Sequence, residues 1–166
     1  MAKGEGTFRA LAAAQAANPK DVVVLAKLAG KFYDRGENAK SVALYKDVVA
    51  LDPEGRLGRV ESEKGLVSAA ELAEFKLGWA ACYIGQGVPR SAAPLEAFLA
   101  KYPSSPFKKE AYTSLAIFHS SSQADKAAAE KFFAQAFDLY PDDPWLRYYY
   151  TAPFIYGENK EGLDRA

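Results

Sequence analysis

The chain has 166 residues, and its 21 Lys and Arg are balanced by 21 Asp and Glu, so the formal net charge is zero. Nucleic acids and anionic membrane surfaces select basic proteins, and this balance gives no reason to expect either as a partner. No apolar run is long enough to be inserted into a membrane, and an aromatic content of 13 % argues against disorder.

Cysteine and histidine are almost absent from the chain. Cys82 is the only cysteine and His119 the only histidine, which excludes an intrachain disulfide and a thiolate metal cluster. We interpret Cys82 as a small buried apolar residue and His119 as a packed or surface side chain. We therefore expect no catalytic site, no metal and no cofactor.

The N-terminal third of the chain predicts three helices. Residues 8–17 carry apolar side chains on one helical face, after a short glycine-rich lead-in that we expect to be flexible. A second apolar face recurs at helical spacing in residues 25–32 and ends at Gly36. The third face covers residues 41–51, up to the helix-stopping Pro53.

Residues 54–67 interrupt this helical pattern. The stretch has three glycines, several charges and no helical period, which predicts a long inserted loop or a small hairpin. Loops of this length in compact domains are usually functional or disordered. Its basic residues Arg56, Arg59 and Lys64 are interpreted as solvated, with a partner-binding loop as the alternative.

Five more helices are predicted after the insertion, each with a signal at its N-terminus. Small polar residues and Asp favour the N-cap position, and Pro is tolerated in the first turn. The signals are Ser68 with Glu71, Pro94, Ser105-Pro106, Ser122 with Asp125, and Asp143-Pro144.

The helix pair between Asp21 and Gly55 resembles the tetratricopeptide repeat, in which a leucine, small residues, aromatics, a turn glycine and a closing proline recur within 34 positions. Counted back from Pro53 at position 32, the matching residues are Leu28 (7), Ala29 (8), Phe32 (11), Gly36 (15), Ser41 (20), Tyr45 (24) and Val48 (27). The later second helices match at positions 20, 24 and 27 with Ser91, Leu95 and Phe98, and with Ala129, Phe133 and Ala136.

This resemblance covers nearly the whole chain except residues 54–67, and it implies an all-α, right-handed α-solenoid of antiparallel helix pairs. We take residues 1–166 as a single repeat domain with residues 54–67 as an inserted loop, and we expect it to be part of a longer protein. The phrase AFLAKYPSSP resembles tetratricopeptide proteins of the bacterial envelope, which leaves both the bacterial cytoplasm and the periplasm open.

The resemblance also implies a binding groove, which the first helices of the pairs line in this family. Two of the groove positions are lysine and asparagine in chaperone-binding members but Ala26 and Gly30 here, so that specific activity is not expected. The predicted groove residues are Tyr33, Phe75, Trp79, Ala26, Gly30 and Ile117, with Tyr33, Phe75 and Trp79 as anchors for an extended or helical peptide. Core packing between repeats is the alternative interpretation for Phe75 and Trp79.

The last predicted helix is crowded with aromatic residues. Trp145, Tyr148 and Tyr149 form a candidate surface for an oligomer or a partner, and a homodimer would use these terminal helices. Terminal core packing is the alternative.

The sequence therefore predicts a non-catalytic scaffold that binds a protein or peptide partner in its groove. Two other functions remain open. The chain is also similar to helical regions that follow thioredoxin-like domains, which would make it an accessory region of a larger bacterial protein. It could equally be an oligomerisation spacer.

Overall fold

A computed structural model of the protein describes residues 3–83, 86, 88–121 and 125–156. Within these residues the chain forms eight helices and one small antiparallel sheet, and it divides into two compact units, Met1–Ser105 and Pro106–Ala166. The first unit contains α1 (Lys3–Ala17), α2 (Val22–Asp34), α3 (Asn38–Leu51), β1 (Arg59–Ser62), β2 (Gly65–Ser68), α4 (Ala69–Cys82) and α5 (Ala93–Lys101). The second contains α6 (Lys108–Ser121), α7 (Lys126–Leu139) and α8 (Pro144–Tyr156).

The predicted, mainly helical fold class is confirmed, with a two-stranded sheet in addition. None of the described helices combines the length and apolar character that crossing a bilayer requires. The prediction of a flexible, glycine-rich lead-in was wrong, because α1 already begins at Lys3. Glu5 explains part of this, since its carboxylate lies 3.6 Å from the Arg9 guanidinium one turn later and 3.2 Å from that of Arg35 on the next hairpin.

The α2–α3 hairpin is built as its sequence predicts. Asp21 caps α2 by accepting hydrogen bonds from the amides of Val23 and Val24 at 3.0 and 3.1 Å. Gly36 makes the turn with a φ of 74°, a left-handed conformation that favours glycine. Of the residues that match the repeat pattern here, Ala29, Ser41, Tyr45 and Val48 are buried, whereas Phe32 is only half-buried and packs edge-on against Phe8 of α1 with ring centroids 5.2 Å apart.

The α4–α5 pair depends on a close approach of the two backbones. Ser68 caps α4 as predicted, accepting a 3.0 Å hydrogen bond from the Glu71 amide. Gly78 lies directly against α5, where a Cβ would stand 2.9 Å from the Cα of Leu95. The fully buried side chains of Leu95 and Phe98 complete this interface.

The insertion is a β-hairpin packed onto helices. β1 and β2 pair from Arg59↔Ser68 to Ser62↔Gly65, and Val60 and Val67 turn their side chains into the core. The buried carboxylate of Asp52 holds the start of the insertion by accepting hydrogen bonds from two consecutive backbone amides, those of Arg56 and Leu57, at 2.7 and 2.9 Å. Of the two predicted alternatives, the small hairpin is the correct one.

The second unit has its own core between α6, α7 and α8. Its fully buried side chains include Phe107, Ala111, Leu115, Ala116 and Ala136. Tyr150 of α8 packs edge-on against Phe133 and Phe137 of α7, with ring centroids 5.2 and 5.6 Å apart. These two ring contacts attach α8 to α7.

One of the three predicted N-termini in this unit is confirmed, that of α8, where Asp143 accepts a hydrogen bond from the Leu146 amide at 3.0 Å. α7 begins at Lys126, and its N-cap is Asp125, which accepts from the Ala128 amide at 3.0 Å, instead of the predicted Ser122, which lies outside the described residues. The prediction for α6 was wrong by two residues. Its first intrahelical acceptor is the carbonyl of Phe107, because Ser105 is used in a preceding turn by bonding its amide to Tyr102.

Candidate partner-binding cavity

A cavity of about 380 Å³ opens in the first unit between α2 and β1. We call it the α2–β1 cavity. The wall formed by α2 includes Ala26, Gly30 and Tyr33, and the wall formed by the hairpin runs from Val60 to Glu63. Further side chains come from α1, α3 and α4.

The inner part of the cavity is apolar apart from one phenol. Ala26, Tyr45 and Leu72 line it and are all buried. Burial raises the pKa of Tyr45 well above its ordinary value, so the hydroxyl stays protonated far into the alkaline range. A Cβ on Gly30 would lie 3.7 Å from this hydroxyl, so the missing side chain of Gly30 leaves room above Tyr45.

Charged residues of both signs surround the opening. Lys31 pairs with Asp34 at 2.8 Å, and Lys76 pairs with Glu63 of the hairpin at 3.8 Å. Lys27 and Glu61 also line the cavity, and neither has an ion-pair partner within the part of the chain that the structure describes. Three cations and three anions leave no net charge, so the cavity does not select a charged ligand.

Three of the predicted groove residues line this cavity, namely Ala26, Gly30 and Tyr33. Trp79 lies beside it, where its ring packs edge-on against Tyr33 with centroids 5.8 Å apart and also contacts Tyr83 at 4.7 Å. Trp79 and Tyr33 share a small second cleft of about 20 Å³ that Tyr45 also borders. The predicted aromatic anchors Tyr33 and Trp79 are therefore brought together.

Phe75 and Ile117 are placed differently. Phe75 is only 3 % exposed and packs against Phe98 with ring centroids 5.6 Å apart. It belongs to the α4–α5 core, which was the alternative interpretation, and we correct its assignment because a partner in the cavity would not reach it. Ile117 is a partly buried residue of α6 in the second unit.

The sequence predicts a loop or a small hairpin at residues 54–67, with a partner-binding loop as an alternative, but it does not predict that the hairpin forms a cavity wall. Val60 and Val67 are β-branched residues placed symmetrically about the two-residue turn Glu63-Lys64, which Gly65 follows, and such a pattern is a signal of a hairpin. That signal could have identified two strands. It could not have indicated that β1 lies opposite α2, since this depends on how the hairpin packs onto distant helices.

The predicted aromatic surface of α8 is exposed. Trp145, Tyr148 and Tyr149 are 67 %, 46 % and 39 % accessible to solvent, while Leu146 between them is buried. The ring of Tyr148 contacts both of the others, with centroid separations of 6.1 and 5.6 Å. These three residues form a continuous aromatic patch in the second unit.

Cys82 and His119, the only cysteine and the only histidine, pack against other side chains. Burial raises the pKa of the Cys82 thiol to about 12, so the nucleophilic thiolate is not formed at neutral pH. His119 stacks on Phe132 with ring centroids 5.5 Å apart. Among the described residues, no group of three or more His, Cys, Asp or Glu is arranged to hold a metal ion.

Comparison of the chain with protein-family models, curated proteins and solved structures gives no match. Its function is therefore inferred from the α2–β1 cavity and the surfaces around it.

Proposed function

We propose that the protein is a non-catalytic interaction scaffold that holds a segment of a protein partner in the α2–β1 cavity. The observation that carries this proposal is the cavity itself. It is apolar inside, has aromatic residues at one end and is ringed by balanced charges, a combination suited to an uncharged stretch of polypeptide.

The proposal includes a right-handed solenoid of tetratricopeptide-like helix pairs. Burial supports the assignment of residues to repeat positions, because Ala29, Gly78 and Ala116 at the predicted position 8 are all buried. The contacts support it too. In the first unit each helix packs on its neighbours in sequence, and α2 also packs on α4, as first helices of successive repeats do.

The test uses Gly30, because a side chain there would project toward Tyr45 and fill the cavity. Purified protein is used to select binders from a displayed library of random linear peptides, and their affinities are measured by fluorescence anisotropy. Gly30→Leu should weaken binding at least tenfold, and Tyr33→Ala should weaken it less.

Gly6→Leu is the matched control. Gly6 is also a glycine within a helix, is exposed, and has no neighbouring atom within 4 Å of a Cβ position. Binding should survive this change. A library that yields no binders, or binders that tolerate Gly30→Leu, would contradict the proposal.

A second candidate function is an oligomerisation spacer, which the exposed patch of Trp145, Tyr148 and Tyr149 favours. In that case light scattering should detect a dimer, and Trp145→Ala should convert it to a monomer. A protein that is monomeric before the substitution would contradict it. An accessory role in a larger bacterial protein is tested by the full-length reading frame.

A further inference from the structure

The α2–β1 cavity lies beside the edge of β1. Val60, Glu61, Ser62 and the following Glu63 all line it, although successive side chains of a strand point to opposite faces of the sheet. A cavity over one face would contact mainly the side chains of alternate residues. Within the described residues α2, on the opposite wall, packs on β1 and not on β2, which agrees with a cavity along the outer edge of β1, and β2 occupies the other edge.

The register of the hairpin shows which backbone groups point into the cavity. Opposed residues in an antiparallel pair alternate between hydrogen-bonded and non-hydrogen-bonded pairs, and the pair that closes a two-residue loop is hydrogen-bonded. Ser62↔Gly65 is that closing pair, so Glu61↔Leu66 is the next, non-hydrogen-bonded pair. The backbone N–H and C=O of Glu61 consequently point away from β2, toward the cavity.

Two observations agree with this assignment. The outward carbonyl of Leu66, the residue opposite Glu61, accepts a 2.8 Å hydrogen bond from the Arg59 guanidinium. Among the described residues, no backbone or side-chain group outside the sheet bonds to the Glu61 backbone. The cavity thus presents a free donor and a free acceptor of an edge strand, which are a template for another extended chain.

We propose, building on the proposed function, that the occupant of the cavity is an extended segment of a partner protein that adds a third strand to the hairpin along β1. Its backbone pairs with Glu61 at the ~4.8 Å spacing of neighbouring strands. Gly30 on the opposite wall leaves the space that this backbone needs. One side chain of the segment points inward to Leu72 and Tyr45 and is apolar, while its neighbours point to the balanced charges at the opening.

This mode of binding predicts a specific chemistry of recognition. Affinity comes mainly from main-chain hydrogen bonds, so many sequences are accepted provided that they are extended and uncharged at the inward position. Lys27 and Glu61 stand at the cavity with opposite charges and favour no net charge in the occupant.

The experiment uses peptides selected from the random linear library. Glu61→Pro removes the outward N–H, which an edge strand can lose without losing a bond to its partner strand. Glu61→Ala is the reference variant, because it also lacks the carboxylate but keeps the N–H, and binding by Glu61→Pro should be about tenfold weaker than binding by Glu61→Ala. Near-ultraviolet circular dichroism checks that both variants are folded.

A measurement on the peptide makes the test independent of the variant's folding. N-methylation of successive backbone amides of a selected peptide should weaken binding at every second residue, because alternate amides of an added strand face β1. A helical or irregular peptide would not give this period of two.

The outcomes separate the two proposals. If Gly30→Leu abolishes binding but Glu61→Pro and N-methylation have no effect, the cavity is a binding site and strand addition is overturned. If none of these changes affects binding, both proposals fail. If the unmodified protein is a dimer by light scattering and Glu61→Pro makes it monomeric, the edge is occupied by the hairpin of a second copy and a partner segment is overturned as occupant.

Discussion

Gly30 and Gly78 both lie within helices, but their surroundings give opposite expectations for substitution by alanine. A Cβ on Gly30 would be in ordinary contact with the Tyr45 hydroxyl, and a Cβ on Gly78 would stand 2.9 Å from the Leu95 Cα. Alanine within a helix is favoured over glycine by about 0.5–1 kcal/mol. Gly30→Ala should therefore raise the free energy of unfolding by about that amount.

Gly78→Ala should lower the free energy of unfolding by about 1–3 kcal/mol, because the backbone of α5 must move to admit the methyl group. Urea denaturation of the two variants beside the unmodified protein measures both changes. Equal effects of the same sign would contradict the α4–α5 packing described above. A Gly30→Ala variant that is more stable than the unmodified protein would show that the packing of α2 does not require a glycine at this position.

Cys82 makes stability depend on pH in the alkaline range. Its pKa is about 12 in the folded protein against 9.0 for an unperturbed thiol. Between these values the folded chain binds more protons than the unfolded chain, so the free energy of unfolding falls as pH rises. The contribution is fully present below about pH 9 and is lost toward pH 12.

Replacing this residue should reduce that pH dependence. Cys82→Ala should remove a slope of up to about 1.4 kcal/mol per pH unit, since one proton is involved. Urea unfolding at about pH 8 and about pH 10.5 isolates this effect, because any loss of packing is the same at both values. Burial of Tyr45 acts in the same direction and leaves part of the slope in the variant. An unchanged slope would show that the pKa of the Cys82 thiol is not raised in the folded protein.

At the level of elements, Asp52 positions the hairpin. Its carboxylate accepts the amides of Arg56 and Leu57, and it is buried where α3 ends. Asp52→Ala should lower the free energy of unfolding by about 2–3 kcal/mol, because it leaves two backbone donors without their charged acceptor. Peptide affinity for the α2–β1 cavity should fall as well, since β1 forms one wall.

Glu54→Ala supplies the matched control for this prediction. Glu54 is an exposed carboxylate two residues away whose contact with the Arg56 guanidinium is 3.8 Å. Its removal should change stability by no more than about 0.5 kcal/mol. A comparable loss in both variants would mean that Asp52 contributes only as a surface charge.

The helices could be predicted from sequence because their signals are local. Apolar spacing identified α2 and α3, and Ser68 and Asp143 each accept the amide that their position predicts. The start of α6 was misplaced because Ser105-Pro106 has the same local signature as a helix start but forms a separate turn. The burial of Phe107 determines where α6 begins, and burial is a property of the folded unit that a local sequence signal does not contain.

At the level of the molecule, the division into two compact units predicts how fragments behave. About 100 residues can bury a sufficient core, whereas about 60 residues are marginal. Met1–Ser105 should therefore remain helical and unfold cooperatively on heating when expressed alone, and Pro106–Ala166 should be less stable. Circular dichroism melting of both fragments measures this. A first fragment that fails to fold would contradict its description as a compact unit.

The candidate site could be predicted only in part, and the reason lies at this scale. Positions inferred from the repeat resemblance gave Ala26, Gly30 and Tyr33, which do line the cavity. The same positions gave Phe75, which a close-packed α5 covers. The opposite wall comes from an insertion outside the repeat, so its residues could not follow from a pattern that describes only the repeat.

Each unit carries one of the two tryptophans, Trp79 beside the cavity and Trp145 on the exposed face of α8. Trp145→Phe would leave Trp79, in contact with the rings of Tyr33 and Tyr83, as the single tryptophan. Selectively excited tryptophan fluorescence then reports on the neighbourhood of the cavity, and quenching by acrylamide should slow when a peptide is bound. The molecule thus contains its own optical probe of occupancy, with no attached dye.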